Sequence, residues 1–168
     1  LGSLNPTGGP DLFARAIYGA AGDPEHNVVH IEQAGIGLPD EAYYREDHYA
    51  PVREQYVAMV AKQLRQAGYG DELESEEQAK RFLEVETAIA SHHWDNVATR
   101  DSQKTYNPTD YAALSKSLEH FGLSDWVNAW QTAYDATPAG KAQPLDFKAI
   151  VQHTIVHEPS FLSGLDTF

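Results

Sequence analysis

Residues 26–44, HNVVHIEQAGIGLPDEAYY, constrain the fold most, because they combine a strand, a glycine turn and a helix start. The run VVHI predicts a short strand. Gly35 and Gly37 predict a tight turn after it, since two glycines at this spacing favour backbone conformations with positive φ. Asp40 predicts a helix start, because its side chain can accept a backbone hydrogen bond there. We expect this corner, with Gly35, Gly37 and Pro39 as structural residues, to position the helices that follow.

A second strand is expected before this corner. Leu12–Tyr18 is apolar and fits a helix or a strand, and Gly22-Asp23-Pro24 after it is a turn signal. A hairpin between Phe13–Tyr18 and Val28–Ile31 is therefore predicted. Leu1–Pro10 is rich in Gly and Pro and is predicted to be a connector.

Helical patterns dominate the middle of the chain. Pro51 suits the first turn of a helix, and Gly68 can end it. Apolar residues recur between them at helical spacing and predict a core-facing stripe: Val52, Tyr56, Met59, Val60, Leu64 and Ala67. Ser75-Glu76-Glu77-Gln78 matches a capping box and predicts a helix from there to about His93.

Further helices are predicted towards the end of the chain. Pro108 and Thr109 open one that ends at Gly122, Ser124 caps the next, and Thr137–Gly140 breaks it. Pro159 starts the last helix, after a β-branched segment that favours an extended chain. The predicted fold is mainly α, a helical domain with a small antiparallel β ribbon near the N-terminus. Residues 1–168 are interpreted as a single helical region.

Glu86 lies inside the apolar stripe of its predicted helix. It follows Phe82 by four positions and precedes Ile89 by three. A buried carboxylate must be paired or neutralised, so we expect an ionised Glu86 to pair with a cation from elsewhere in the chain. The alternative is that Glu86 lies at the edge of the stripe and reaches water.

The charge balance argues against a nucleic-acid partner. The chain has 12 basic and 25 acidic side chains, a formal charge of -13, whereas phosphate-backbone binding needs clustered Lys and Arg. The absence of cysteine removes disulfides and thiolate metal sites and fits a reducing compartment, so a cytoplasmic location is expected. No membrane segment is predicted, because no apolar run approaches about 18 residues.

No catalytic, cofactor-binding or metal-ligating residue is predicted in this chain. The zinc motif His-Glu-x-x-His is absent. The nearest string, His153–Glu158, places the Glu after its second His, and in a strand the two rings would lie about 13 Å apart. His92 and His93 are adjacent and point to different helix faces, so we interpret them as surface or cap residues. The glycine turn lacks the third glycine and the lysine of a nucleotide loop.

The corner resembles a segment of the neprilysin-like zinc metallopeptidase family. Members carry a strand ending in Gln, a Gly-Leu-Gly-Leu-Pro-like turn, an acidic residue and a Tyr-Tyr pair. Here these are Gln33, Gly35–Pro39, Asp40 and Tyr43-Tyr44, with Ile36 where Leu is common.

Later segments extend the resemblance in the same order along the chain. Leu83–Ala90 is similar to the family helix with Glu-x-x-Ile-Ala, and Arg100 and Tyr106-Asn107 fit its later Arg and Tyr-Asn. Val156–Leu162 is similar to its extended segment before a Pro-x-aromatic-Leu helix. Because the resemblance supplies Glu86 and Arg100 together, Arg100 is the first candidate for the cation that pairs with Glu86.

The resemblance implies a zinc metalloendopeptidase as the parent protein, which cleaves peptides by attack of zinc-activated water. It implies that this chain is part of the smaller, non-catalytic helical domain, which faces the zinc domain of the same polypeptide, encloses the substrate chamber and limits access to peptides. Zinc belongs to the parent; the chain alone is expected to bind none and to be inactive. The alternative is an independent acidic helical protein-interaction module without an enzymatic parent.

Overall fold

A computed structural model describes residue 3, residues 11–21 and residues 23–167 of the chain. Apart from Ser3, the connector predicted at Leu1–Pro10 lies outside the described residues. The fold is mainly helical with one small sheet, which confirms the predicted class. The chain divides into two compact units: one contains the chain up to Gly35 and again from Val97, and the other is Ile36–Asn96.

The first unit contains a four-stranded sheet in the order β1-β2-β4-β3. Its strands are β1 (Phe13–Ala20), β2 (Asp23–Gln33), β3 (Asn107–Thr109) and β4 (Thr154–Val156). β1 and β2 are antiparallel, with Tyr18 opposite Val28, so the predicted hairpin is confirmed. Gly22 of the predicted turn lies outside the described residues. β4 then pairs parallel with β2, and β3 pairs antiparallel with β4.

The two short strands change the predicted ribbon into a sheet. The prediction that Pro108 and Thr109 open a helix is wrong, because both residues lie in β3. The helix begins at Tyr111, because the side chain of Asp110 accepts a hydrogen bond from the N–H of Ala113 and caps it. The extended conformation predicted before Pro159 is confirmed by β4.

The helices of the first unit surround an aromatic core. They are α4 (Tyr111–Ser117), α5 (Leu123–Asp135), α6 (Pro138–Ala142), α7 (Phe147–Ile150) and α8 (Pro159–Leu165). Trp130 stacks on Phe147 with ring centroids 3.9 Å apart, and Phe13 is fully buried beside Trp126. The cap predicted at Ser124 is wrong: α5 begins after Gly122, whose φ of 70° ends the preceding turn.

The second unit consists of α1 (Ala42–Arg45), α2 (Ala50–Gln66) and α3 (Glu72–Ala90), with a 3-10 turn at Asp47–Tyr49. The capping box predicted at Ser75 is wrong. Asp71 and Glu74 form it reciprocally, each side chain accepting from the other residue's N–H. The helix begins earlier than expected because Gly70, with a φ of 83°, ends the preceding turn directly before Asp71.

The apolar stripe of α2 is not the buried core that its pattern predicts. Ala61 is the one buried residue of this helix, while Met59 is 46% exposed. On α3, Phe82 and Val85 are likewise 44% and 54% exposed. These side chains line a groove of about 590 Å³ between α2 and α3, because no further element of the unit covers that face. We call this surface the α2–α3 groove.

Candidate functional site

Glu86 projects from α3 into the interior of the second unit and is 5% exposed, as its helical phase predicts. Its two carboxylate oxygens accept hydrogen bonds from tyrosine hydroxyls. Tyr44 donates to Oε2 at 2.7 Å, and Tyr56 donates to Oε1 at 3.1 Å. Bonds from neutral donors to a carboxylate are strong, so they compensate part of the cost of burying the charge.

The hydroxyl of Tyr44 joins the carboxylate to the glycine turn. It accepts hydrogen bonds from the N–H groups of Gly37 at 3.1 Å and Leu38 at 2.9 Å. A hydroxyl can donate one hydrogen bond and accept two, so this one is fully used. We call this group, Gly37, Leu38, Tyr44, Tyr56 and Glu86, the corner network.

Both phenols of the corner network stay protonated donors at physiological pH. Burial is the main cause that raises the pKa of Tyr44 well above its usual value; the N–H of Leu38 lowers it, and the Glu86 carboxylate raises it further. Burial, followed by the charge of Glu86, raises the pKa of Tyr56 to about 12. Both hydroxyls therefore remain available as hydrogen-bond donors to the Glu86 carboxylate.

The two turn glycines serve different purposes. Gly35 has a φ of 86°, which confirms the predicted left-handed conformation. The same prediction is wrong for Gly37, which does not have positive φ. Its requirement is space, since a Cβ atom there would lie 2.1 Å from the hydroxyl oxygen of Tyr56. Pro39 is exposed and follows Leu38, which is buried.

Arg100 lies in the other unit, in an exposed 3-10 turn at Ala98–Arg100. Its pairing with Glu86 stays a prediction. The tyrosine partners of Glu86 were not predicted from the sequence; Tyr44 belongs to the Tyr43-Tyr44 pair and Tyr56 to the α2 stripe. The sequence does contain a clue to them. A buried carboxylate can accept hydrogen bonds from neutral donors as well as pair with cations, and tyrosine is an apolar-stripe residue that carries such a donor.

The histidines near β4 are held on an extended chain. His153 and His157 flank β4, and the ring of His157 contacts His30. Within residues 11–21 and 23–167, no group of three or more His, Cys, Asp or Glu side chains is arranged to hold a metal ion. In the same residues no helix has the length and apolar character needed to cross a membrane.

The model of peptidase family M13, in its N-terminal part, matches residues 1–168. The chain belongs to peptidase family M13. The resemblance to neprilysin-like metallopeptidases is thereby confirmed. Similar M13 proteins include endothelin-converting enzyme 1 of the guinea pig (Cavia porcellus), which is 23% identical over 157 residues, and the human enzyme (Homo sapiens), which is 22% identical over 157 residues.

Solved structures of the zinc metalloprotease Zmp1 of Mycobacterium tuberculosis share the fold. The inhibitor complex has a TM-score of 0.83 with 29% identity, and the open state has a TM-score of 0.82 with 29% identity. Each alignment covers 99% of this chain but only 23% and 24%, respectively, of the Zmp1 chain. The alignments to endothelin-converting enzyme 1 cover 93% of this chain and 19% of the relative. The chain therefore spans about a fifth to a quarter of the length of the relatives that it matches.

Proposed function

We propose that this chain is a non-catalytic helical part of a zinc metalloendopeptidase, in which it helps to enclose the substrate chamber and limits access to peptides. The observation that carries the proposal is the M13 match over residues 1–168, together with similar proteins that are a converting enzyme and a zinc metalloprotease. Zinc, its ligands and the catalytic base would lie in the catalytic domain of the same polypeptide.

The chemistry of the described residues supports a non-catalytic role for this part. Glu86, one of the buried carboxylates of the described residues, has both oxygens occupied by tyrosine hydroxyls. Its partner Tyr44 also accepts hydrogen bonds from the N–H groups of Gly37 and Leu38 and so holds the glycine turn in place. A general base must reach the proton that it removes, so Glu86 is suited to support and not to catalysis.

The corner network explains how such a part keeps its form. It joins α3, through Glu86, to α2, through Tyr56, and to the turn and α1, through Tyr44. Leu38, Tyr44 and Ala90 form a small core around it. A chamber wall limits access only if its helices keep fixed positions, and buried polar networks that are fully satisfied give this rigidity.

The alternative function, an independent acidic interaction module, has no specific observation in its favour. Its charge of -13 suits any soluble domain, and the M13 match counts against a chain without an enzymatic parent.

The proposal is tested on the whole polypeptide that carries this sequence. Hydrolysis is measured on peptides of increasing length and on a folded protein with the same cleavage sequence in an exposed loop. An enclosed chamber predicts that kcat/KM falls steeply beyond a limiting peptide length and that the folded protein is not cleaved. Equal rates on the short peptide and on the exposed loop would contradict the access-limiting role, even if the enzyme is active and zinc-dependent.

A further inference from the structure

The rings of His30 and His157 meet across the sheet of the first unit. Nδ1 of His30, on β2, lies 2.9 Å from Nε2 of His157, which directly follows β4. His30 is 4% exposed, and its other nitrogen, Nε2, is buried without a hydrogen-bond partner in the described part of the chain. This pair plays no part in the corner network, which lies in the other unit.

One hydrogen atom fits between the two facing nitrogens. When both rings are neutral, one ring donates this hydrogen and the other accepts it. The bridge also survives one added proton, because the proton goes to an outward nitrogen. A second added proton places N–H groups on both facing nitrogens, which leaves no acceptor, and it puts two positive charges at contact distance. The pair therefore tolerates one added proton and not two.

An aromatic ring and a carboxylate lie against the pair. Tyr18, from β1, stacks on His30 with ring centroids 3.4 Å apart, and its hydroxyl lies 3.3 Å from Nε2 of His157 and donates to Glu32. Glu32, on β2, has its Oε1 3.9 Å from Nε2 of His157, which is the less buried of the two rings.

The second carboxylate nearby, Glu158, is buried and accepts a hydrogen bond from the N–H of Gln33. Burial raises its pKa, and the nearby Glu32 raises it further.

We propose that the His30–His157 pair is an acid-sensitive clasp, which ties β2 to the segment after β4 while the pair carries at most one added proton and opens when both rings are protonated. The segment that it holds leads directly into Pro159 and α8. Opening would loosen the junction of β2 and β4, where the N–H of His157 also donates to the carbonyl of Ile31 at 2.9 Å.

The direction of the pH effect follows from burial. Burial is the main cause that lowers the pKa of His30 from its usual value near 6.5, and the neighbouring His157 lowers it further. The backbone of Tyr18 and Gly19 and the charge of Glu32 oppose this shift but do not reverse it. The unfolded chain then binds more protons than the folded chain just below pH 6.5. Stability is present above that pH and is lost as the pH falls through the folded pKa, by up to about tenfold in the folding equilibrium constant per pH unit.

The test follows the denaturation midpoint of the 168-residue chain between pH 8 and pH 5 by tryptophan fluorescence, with Trp94, which lies in the other unit, replaced by Phe so that Trp126 and Trp130 report on the unit of the pair. The proposal expects a fall in the midpoint on acidification that is largely absent in His30→Gln and reduced in His157→Gln, since glutamine keeps a hydrogen bond and does not titrate. The matched control is His26→Gln, on the same strand but exposed and paired with Asp23, which should keep the fall.

Histidine ring spectra of the wild-type chain provide a second readout that needs no variant. Long-range 1H–15N correlations should show His30 taking up its proton at a pH below the usual histidine pKa near 6.5. A His30 that titrates near pH 6.5 independently of His157, or a His30→Gln chain with the wild-type pH profile, would overturn the clasp. So would a rise in the wild-type midpoint on adding zinc alone that is lost in His30→Gln, because it would assign the pair to a metal.

Discussion

The hydroxyl of Tyr44 donates a 2.7 Å hydrogen bond to Oε2 of Glu86. This contact fixes Tyr44, on α1, to a carboxylate on α3 that lies 42 positions further along the chain. The same hydroxyl receives the N–H groups of the turn, so turn, helix α1 and helix α3 share one polar centre. This shared centre therefore predicts how much stability substitutions in the second unit should remove.

Removal of the Tyr44 hydroxyl should cost more than removal of the Tyr56 hydroxyl. Tyr44→Phe leaves two backbone N–H groups and one carboxylate oxygen without a partner, and we expect a loss of about 2–4 kcal/mol. Tyr56→Phe removes one bond from a half-buried hydroxyl, and we expect about 1–2 kcal/mol. Urea denaturation of both variants measures the difference. Equal losses would show that the bonds to Gly37 and Leu38 contribute nothing.

Truncation of Glu86 tests whether the carboxylate is the centre of the network. Glu86→Ala leaves both tyrosine hydroxyls without their acceptor, so we expect a loss of about 2–4 kcal/mol, against about 3–5 for breaking a buried ion pair. Glu84→Ala, at an exposed position of the same helix, is the control and should change stability by less than about 0.5 kcal/mol. An unchanged midpoint in Glu86→Ala would mean that the carboxylate is solvated. Arg100→Ala tests the predicted pairing separately, and a loss comparable to that of Glu86→Ala would support it.

Gly37 should resist substitution for reasons of space alone. In Gly37→Ala the new Cβ would lie 2.1 Å from the hydroxyl oxygen of Tyr56, so that side chain must move and release Glu86. We expect a loss of about 1–3 kcal/mol. Combining the change with Tyr56→Phe removes the closest atom and should restore part of the loss, measured as a coupling energy in a double-mutant cycle. Additive effects would show that the contact does not limit this position.

The corner was predictable because its signals are local. The run before Gln33, the glycines and Asp40 predicted the strand, the turn and the helix start, and Asp40 does accept a hydrogen bond from the N–H of Ala42. Long-range partners were not predictable in this way. β3 and β4 have three residues each, which is too short for an alternating apolar pattern to be recognised. They are strands because β4 pairs with β2 and β3 pairs with β4.

The burial of Glu86 was predictable and its partners were not. Helical phase places it among Ala79 and Ile89, which are buried as expected. The phases of α2 and α3 give no information about which element faces their apolar stripes, so Met59 on α2 and Phe82 on α3, both predicted to be core, are exposed. The His30–His157 contact was missed because parallel pairing of β2 with β4 joins residues 127 positions apart.

The exposed α2–α3 groove predicts that the chain by itself binds apolar dyes and associates. Met59, Tyr69, Phe82 and Val85 are each more than 40% exposed, and isolated soluble domains rarely leave such patches uncovered. We expect that the remaining polypeptide of the M13 protein, about four fifths of its length in the relatives, covers this groove.

The double change Phe82→Ser and Val85→Ser should lower dye fluorescence and shift sedimentation towards the monomer. Glu84→Ser, between them on the same helix, is the matched control and should do neither. A wild-type chain that is strictly monomeric and does not bind the dye would contradict this expectation.

Peptide hydrolysis with and without zinc tests the central claim most directly. The measurement compares the pure 168-residue chain with the whole polypeptide that contains it, on the same fluorogenic peptide and with a chelator as control. The account predicts no turnover by the chain at any zinc concentration and chelator-sensitive turnover by the whole polypeptide. Zinc-dependent, chelator-sensitive turnover by the 168-residue chain itself would contradict a non-catalytic role.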